Sequence, residues 1–222
     1  MKILISAGHT LKDNGSGAIG YINESNENRI LSKKVYELLK LQDGISVDYH
    51  EVNSGKDYLQ QQASFANKKN YDLVVQIHFN AHKTTSSTMG TETLYSSSRG
   101  KVYAERVTNK LGQVYKQRGA KVRNDLYWLN NTKAAAILIE TCFVDSKADT
   151  DFYNSNKDLT AKLIVEGILN KAINDTSKPS QSDSDVMYRV CAGSYSDEAN
   201  AEEQQRKLKE KGFDSFLVAY TK

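Results

Sequence analysis

Apolar, β-branched runs alternate along most of the chain with segments whose apolar residues recur at intervals of three and four. The first pattern is typical of buried strands, and the second of helices that cover a sheet. Their alternation predicts an α/β fold with a mixed, mostly parallel sheet flanked by helices. The predicted strands are Lys2–Ser6, Ile45–Val52, Asp72–Phe79, Thr91–Tyr95 and Ala136–Phe143. The predicted helices contain Ile30–Leu39, which precedes Gly44, and Tyr58–Lys69, Val102–Lys116 and Leu159–Ile173.

The composition changes after Ile173. Residues 175–185 are polar and include the only proline, so residues 175–186 are predicted to link a main domain, 1–174, to a small unit, 187–222. That unit has a β-α-β pattern, with strands Tyr188–Tyr195 and Phe213–Tyr220 on either side of a charged helix, Asp197–Lys211. Two strands and one helix are marginal as an independent fold, so the unit is expected to need a partner, either a second copy or the main domain.

Charge and hydropathy exclude several classes of protein. The chain of 222 residues has 30 basic and 27 acidic side chains, a net charge of +3, which gives no basis for nucleic-acid binding. No apolar run approaches the ~20 residues of a membrane span. The N-terminus lacks the apolar core of a signal peptide, so we expect synthesis in the cytoplasm without a signal peptide. Cys142 and Cys191 are too few for a disulfide framework.

Three ionisable residues are predicted at the carboxyl ends of strands. His9 follows the first strand, His78 ends the third, and Glu140 lies near the end of the last. Carboxyl ends of parallel strands open onto one ligand crevice, and Glu24 lies at the start of the first helix. Two imidazoles and the Glu24 carboxylate match the ligands of catalytic zinc, which leaves one position for water. Zinc lowers the pKa of that water to about 7, and Glu140 would pass its proton to a leaving amine, as in metal-assisted amide hydrolysis.

Simpler roles remain open for these residues. A histidine at a strand end is often a hydrogen-bonded packing residue, and Glu24 alone is a helix N-terminal acid favoured by the macrodipole. The sequence has no His-Glu-x-x-His helix and no Cys-x-x-Cys pair. Residues 15–20, Gly-Ser-Gly-Ala-Ile-Gly, match the letters of a dinucleotide fingerprint. The predicted strand does not run into these glycines, so a loop over the cleft is favoured.

Several short motifs occur in a fixed order between Lys2 and Ile173. They are Gly8-His9, Gly17-Ala18 with Gly20, Glu24 with Asn28, Ala66-Asn67 before the strand with His78-Phe79-Asn80-Ala81, Gly90-Thr91-Glu92-Thr93 and Ile139-Glu140-Thr141-Cys142-Phe143. In this order they resemble the zinc-dependent N-acetylmuramoyl-L-alanine amidases of the amidase_3 type. Such enzymes cut peptidoglycan between the lactyl group of muramic acid and L-alanine.

The resemblance implies one Zn²⁺ per chain, with His9, Glu24 and His78 as ligands and Glu140 as the catalytic glutamate. It favours Glu24 over the nearby Glu27 because of the spacing to the helix asparagine. The sequence departs from the family at Ser6-Ala7, where Asp-Pro is usual, and at Gln62, where arginine is frequent. Asn80, His82 and Glu92 are candidates for lining the cleft without an assigned role.

The C-terminal unit resembles one half of a SPOR domain, a module that binds peptidoglycan glycan strands. The resemblance rests on Tyr188–Tyr195 and on Gly212-Phe213. Either two chains each supply one half and complete a sheet, which would make a homodimer through this half-domain, or the unit binds differently from its relatives. The whole is expected to be a phage endolysin that acts on the cell wall after release. A bacterial autolysin of the same activity and a zinc peptidase of the stem peptide are the alternatives.

Overall fold

The computed structural model describes residues 1–12, 15–173, 193–213, 215 and 217. The chain divides into two compact units, Met1–Ser177 and Lys178–Lys222. The strands of the first unit are β1 (Lys2–Ala7), β2 (Ser46–His50), β3 (Leu73–Asn80), β4 (Thr91–Tyr95), β5 (Gln117–Val122) and β6 (Ala135–Phe143). Its helices are α1 (Glu24–Lys40), α2 (Tyr58–Ala66), α3 (Ser98–Leu111), α4 (Tyr127–Asn130), α5 (Lys147–Ser155) and α6 (Lys157–Leu169).

The six strands form one sheet in the order β2-β1-β3-β6-β4-β5. β4 runs antiparallel to β6, and the other neighbouring strands are parallel. The predicted mixed, mostly parallel sheet is therefore confirmed. β1, β3 and β6 are adjacent, so the strand that leads to His9 and the strands that contain His78 and Glu140 end side by side.

Helices cover both faces of the sheet. Ile3 and Ile5 of β1 belong to an apolar cluster that includes residues of α1, α3 and α6. Leu4 points to the opposite face, where the cluster includes residues of α2 and α4. Strands buried on both faces read as continuous apolar runs, which is why these strands are visible in the sequence.

β5, α4 and α5 were not predicted. β5 lies at the edge of the sheet, is largely half-exposed, and includes Gly119 with a φ of 87°, so it lacks an apolar strand pattern. The prediction for α3 was wrong at both ends. Ser97 caps the helix by accepting a hydrogen bond from the Gly100 N–H at 3.1 Å, and the helix ends before Gly112.

In the second unit, α7 spans Glu198–Glu210, within one residue of the predicted helix at each end. The linker, 175–186, lies outside the described residues, as does most of both predicted strands beside α7. Among the described residues, no helix is both long and apolar enough to cross a membrane.

Candidate metal centre and active site

The three predicted ligand residues lie together at the carboxyl ends of β1 and β3. Glu24 Oε1 is 3.1 Å from His9 Nε2 and 3.1 Å from His78 Nδ1. The two imidazole rings meet edge to face with centroids 4.7 Å apart. One donor atom from each of the three residues falls within 4.8 Å of the others, a spacing that permits a single cation between them.

The Glu24 carboxylate is held from several sides. Asn23 caps α1 by accepting a hydrogen bond from the Asn26 N–H, which places Glu24 at the first helical position. The backbone N–H groups of Ala18 and Phe79 donate to Glu24 Oε2 and Oε1 at 2.9 and 3.1 Å. Burial by itself would raise the pKa of Glu24, but hydrogen bonds and charge interactions with the two histidines outweigh it and hold the pKa well below its usual range. The carboxylate is therefore ionised at neutral pH.

His9 lies in a tight turn with a φ of 58°, a backbone conformation that costs a non-glycine residue energy and is found mostly at functional sites. Two buried side chains of α1 hold this turn. Asn28 Nδ2 donates to the Gly8 carbonyl at 3.2 Å, and Arg29 Nη2 donates to the His9 carbonyl at 3.2 Å. Arg29 also donates to the carbonyls of Ser25 and Val52, so one guanidinium joins the turn, the helix and the loop after β2.

The His78 ring is packed closely. A Cβ atom at position 8 would lie 2.3 Å from His78 Nε2, so only glycine fits there. Burial lowers the pKa of His78, which keeps the ring neutral and able to donate a lone pair at neutral pH. Its Nε2 lies 3.1 Å from Gln76 Oε1. Gln76 carries no motif signal, and its role was missed in the sequence.

Glu140 is in register with His78 across β3 and β6, and with Glu92 across β6 and β4. Among the described residues, no hydrogen-bond partner meets its buried Oε2 atom. Burial, followed by the negative charges of Glu24 and Glu92, raises the pKa of Glu140 to about 8. A carboxyl group that holds a proton near neutral pH, and that lies beside three potential metal ligands, has the properties of a general acid or base.

Glu92 and its partners line the next part of this edge. Arg118 Nε and Lys121 Nζ donate to Glu92 Oε2 at 2.8 and 2.5 Å, and Asn80 Nδ2 donates to Oε1 at 3.3 Å. Glu92 is thus committed to two cations. His82 is exposed and lies outside the three-residue cluster.

The alternative ligand Glu27 is occupied elsewhere. Its Oε2 accepts hydrogen bonds from the Tyr153 hydroxyl at 2.9 Å and from Lys157 Nζ at 2.6 Å. The structure therefore places Glu24, and not Glu27, beside the two histidines.

The glycine-containing loop, residues 15–20, supports the Glu24 carboxylate. Gly17 has a φ of 69°, and a Cβ there would lie 2.9 Å from Glu24 Oε2. The next residue, Ala18, supplies the N–H that binds this oxygen. β1 ends at Ala7, well before the loop, so the strand-to-helix turn of a dinucleotide site is absent from this described segment.

Comparison with known proteins agrees with the motifs. Residues 3–170 match the family described as N-acetylmuramoyl-L-alanine amidase. Residues 157–219 match the SPOR domain, although this match begins within α6, which packs against α1 and α3 in the first unit.

A solved structure, the catalytic domain of the CD27L endolysin targeting Clostridia difficile, is 37% identical, with a TM-score of 0.72 over 78% of this chain and 99% of that chain. An uncharacterised protein of Clostridium perfringens is 36% identical over 81% of this chain and 55% of its own length. The endolysin of Bacillus phage SPP1 is 30% identical over 74% of this chain and 62% of its own length. The chain spans only about half the length of the Clostridium relative. On the extent of the family match and on these identities, the chain belongs to the N-acetylmuramoyl-L-alanine amidase family.

Proposed function

We propose that this chain hydrolyses the amide bond between the lactyl group of muramic acid and L-alanine in peptidoglycan. One zinc ion held by His9, Glu24 and His78 would serve the reaction, and Glu140 would transfer the proton. The observation that carries the proposal is the meeting of these three donors beside Glu140, in a chain of the amidase family.

The donor set fits zinc. Two imidazole nitrogens and one carboxylate oxygen are a usual protein ligand set of catalytic zinc, and they leave a coordination position open. The protonation states also fit, since burial keeps His78 neutral and Glu24 is ionised. A zinc ion in this place supplies Lewis-acid polarisation of a carbonyl group and acidification of water.

Glu140 supplies the proton transfer. The charge of a bound cation would favour the ionised form of Glu140, and its Oε2 atom, which has no partner among the described residues, would then accept a proton from the attacking water. The same oxygen would then donate that proton to the nitrogen of the departing L-alanine. Glu92 remains bound to Arg118 and Lys121 and takes no part in this transfer.

For the setting, we propose cell lysis by an endolysin, acting on the wall after release. The support is the likeness to the catalytic domain of one endolysin and to the endolysin of a Bacillus phage. An autolysin would carry out the same chemistry with the same residues, so the proposed amidase activity does not depend on which of the two biological roles the chain has.

For the second unit, we propose binding to peptidoglycan glycan strands and pairing with a second copy. The SPOR match supports the first part. For the second part, none of the residues of α7 is buried, and Tyr195, Phe213 and Leu217 are exposed apolar side chains. A second half-domain would cover such residues.

Amino-terminal labelling of digested peptidoglycan tests the activity. The zinc-loaded full chain is expected to expose new amino groups, and acid hydrolysis of the labelled product should identify them as L-alanine. Chelation should stop their release, and zinc should restore it. A label on any other residue would instead identify a peptidase of the stem peptide.

A further inference from the structure

A chain of hydrogen bonds leads from the His78 ring into the core of the first unit. His78 Nε2 lies 3.1 Å from Gln76 Oε1. Gln76 Nε2 donates to Gln62 Oε1 at 2.9 Å, and Gln62 Nε2 donates to the Ala7 carbonyl at 3.1 Å. Gln62 and Gln76 are 1% and 2% exposed, so water does not compete for these bonds. We call Gln62, Gln76 and the Ala7 carbonyl the glutamine relay.

The Ala7 carbonyl sets the direction of the relay. A backbone carbonyl only accepts hydrogen bonds, so Gln62 must turn its NH₂ group toward Ala7 and its oxygen toward Gln76. Gln76 must then turn its NH₂ group toward Gln62 and its oxygen toward His78. An amide flip at either residue would bring two acceptors or two donors together in a buried place, which is costly.

The Gln76 oxygen faces Nε2 of His78 and requires a proton on that nitrogen. In a neutral imidazole the other nitrogen, Nδ1, then carries the lone pair. Nδ1 is the atom that lies 3.1 Å from Glu24 Oε1, on the side of the candidate metal centre. The Glu24 carboxylate alone would favour a proton on Nδ1, which would block a metal. The relay opposes that preference.

We infer that Gln62 and Gln76 are positioning residues that fix the tautomer of His78 and make Nδ1 its metal-binding atom. The inference rests on the proposed function, in which His78 is a metal ligand. The relay also depends on the type of side chain at position 62. Arginine offers only donors and has no oxygen to receive the Gln76 NH₂ group, so this relay requires the glutamine.

Two variants separate the relay from a packing role. Gln76→Met keeps a similar side-chain length but removes the acceptor, and it leaves Gln62 without its partner. The double variant Gln62→Met with Gln76→Met removes both side-chain amides, so neither glutamine is left without its partner. Only the Ala7 carbonyl loses a donor, and thermal stability should recover part of what Gln76→Met loses. Gln60→Met, at an exposed position on the same helix α2, is the matched control.

The first measurement is the zinc affinity of the full chain, in competition with a chromophoric chelator. Loss of a partner behind a metal-binding histidine weakens metal binding by about 10- to 100-fold. We expect that loss in Gln76→Met and in the double variant, and none in Gln60→Met. A stably folded double variant whose zinc affinity lies within about threefold of the unmodified chain would overturn the inference, because packing alone would then explain the relay.

The second measurement is the long-range ¹⁵N–¹H spectrum of the histidine rings in the zinc-loaded, ¹⁵N-labelled full chain. We expect a slowly exchanging proton on His78 Nε2 and none on Nδ1, and faster exchange of that proton in Gln76→Met. Zinc bound through Nε2 would overturn the relay and leave the metal centre standing. A chain that binds no zinc would overturn both, and a zinc-binding chain without amidase activity would overturn only the proposed reaction.

Discussion

Glu140 differs from Glu24, the carboxylate among the three proposed metal ligands, in what surrounds its carboxyl group. The oxygens of Glu24 accept hydrogen bonds from backbone N–H groups and lie beside histidine nitrogens, while Oε2 of Glu140 is buried without a hydrogen-bond partner among the described residues. A buried polar atom with no partner is destabilising, so its presence calls for an explanation, and a catalytic role is one such explanation. The difference supports the proposed roles, in which Glu24 holds a cation and Glu140 moves a proton.

Replacement of Glu140 by glutamine tests this separation. The amide has the same shape but accepts no proton, so release of amino groups from peptidoglycan should fall by about 10²- to 10⁴-fold. Metal analysis should still find close to one zinc per chain. Glu105→Gln, an exposed change on α3, is the control and should match the unmodified chain in both measurements. Activity of Glu140→Gln within tenfold of the control would remove Glu140 from the reaction.

Gly8 tests the packing against His78. Alanine at this position would place its Cβ 2.3 Å from His78 Nε2 and displace the ring, so zinc binding and activity should both be lost. Gly119→Ala is the control, because its φ of 87° strains the backbone by about 1–2 kcal/mol although its Cβ would meet no atom within 4 Å. The control should lose stability and keep its zinc. Full zinc occupancy in Gly8→Ala would show that the ring can move without consequence.

α1 has two roles in the site. It begins at Glu24, one proposed metal ligand, and it holds the turn that contains His9, another. Glu24 is its first residue, and one turn later Asn28 and Arg29 bind the carbonyls of Gly8 and His9. Arg29 is 6% exposed, and burial lowers the pKa of its guanidinium. A buried cation bound to several carbonyls fixes the position of the turn after β1 relative to the helix.

Arg29→Met should therefore act on both stability and metal binding. It leaves buried carbonyl groups without a donor, which should lower the free energy of unfolding by about 3 kcal/mol in urea titrations. It should also weaken zinc binding, since the strained turn at His9 loses its support. Lys33→Met, at an exposed position of the same helix, should change stability by less than about 0.5 kcal/mol. Unchanged zinc affinity in Arg29→Met would show that the turn at His9 keeps its conformation without Arg29.

The elements that the sequence predicted are those with a strong periodic signal. β1, β3 and β6 are buried on both faces, so their ends and the positions of His9, His78 and Glu140 could be derived from pattern alone. β5 is an edge strand with no buried residue, so its sequence has no such apolar pattern. The relay could not be predicted, because contact between Gln62 and Gln76 depends on how α2 packs on the sheet. Arg29 likewise looks like a surface charge on α1 until the turn is folded against it.

For the molecule as a whole, the proposed function assigns one role to each of the two compact units. Every residue of the candidate site lies in Met1–Ser177, while most of the SPOR-matching segment that follows α6 lies in Lys178–Lys222. Tethering a wall-binding unit to an enzyme raises the local concentration of substrate without new contacts in the active site.

A chain that ends at Ser177 tests the division. It should release amino groups from a soluble muramoyl peptide at the rate of the full chain, because the site is complete without the second unit. Its binding to insoluble cell walls in sedimentation assays should be weaker. Light scattering should show a dimer for the full chain and a monomer for the shortened one. Equal wall binding by the two chains would remove the binding role, and a monomeric full chain would remove the pairing.

The metal centre is tested most directly by anomalous diffraction at the zinc edge from crystals of the full chain grown with zinc. We expect one main peak, at about 2.0–2.2 Å from His9 Nε2, His78 Nδ1 and a Glu24 carboxylate oxygen. A peak held by other residues, or no peak between these three side chains, would contradict the account.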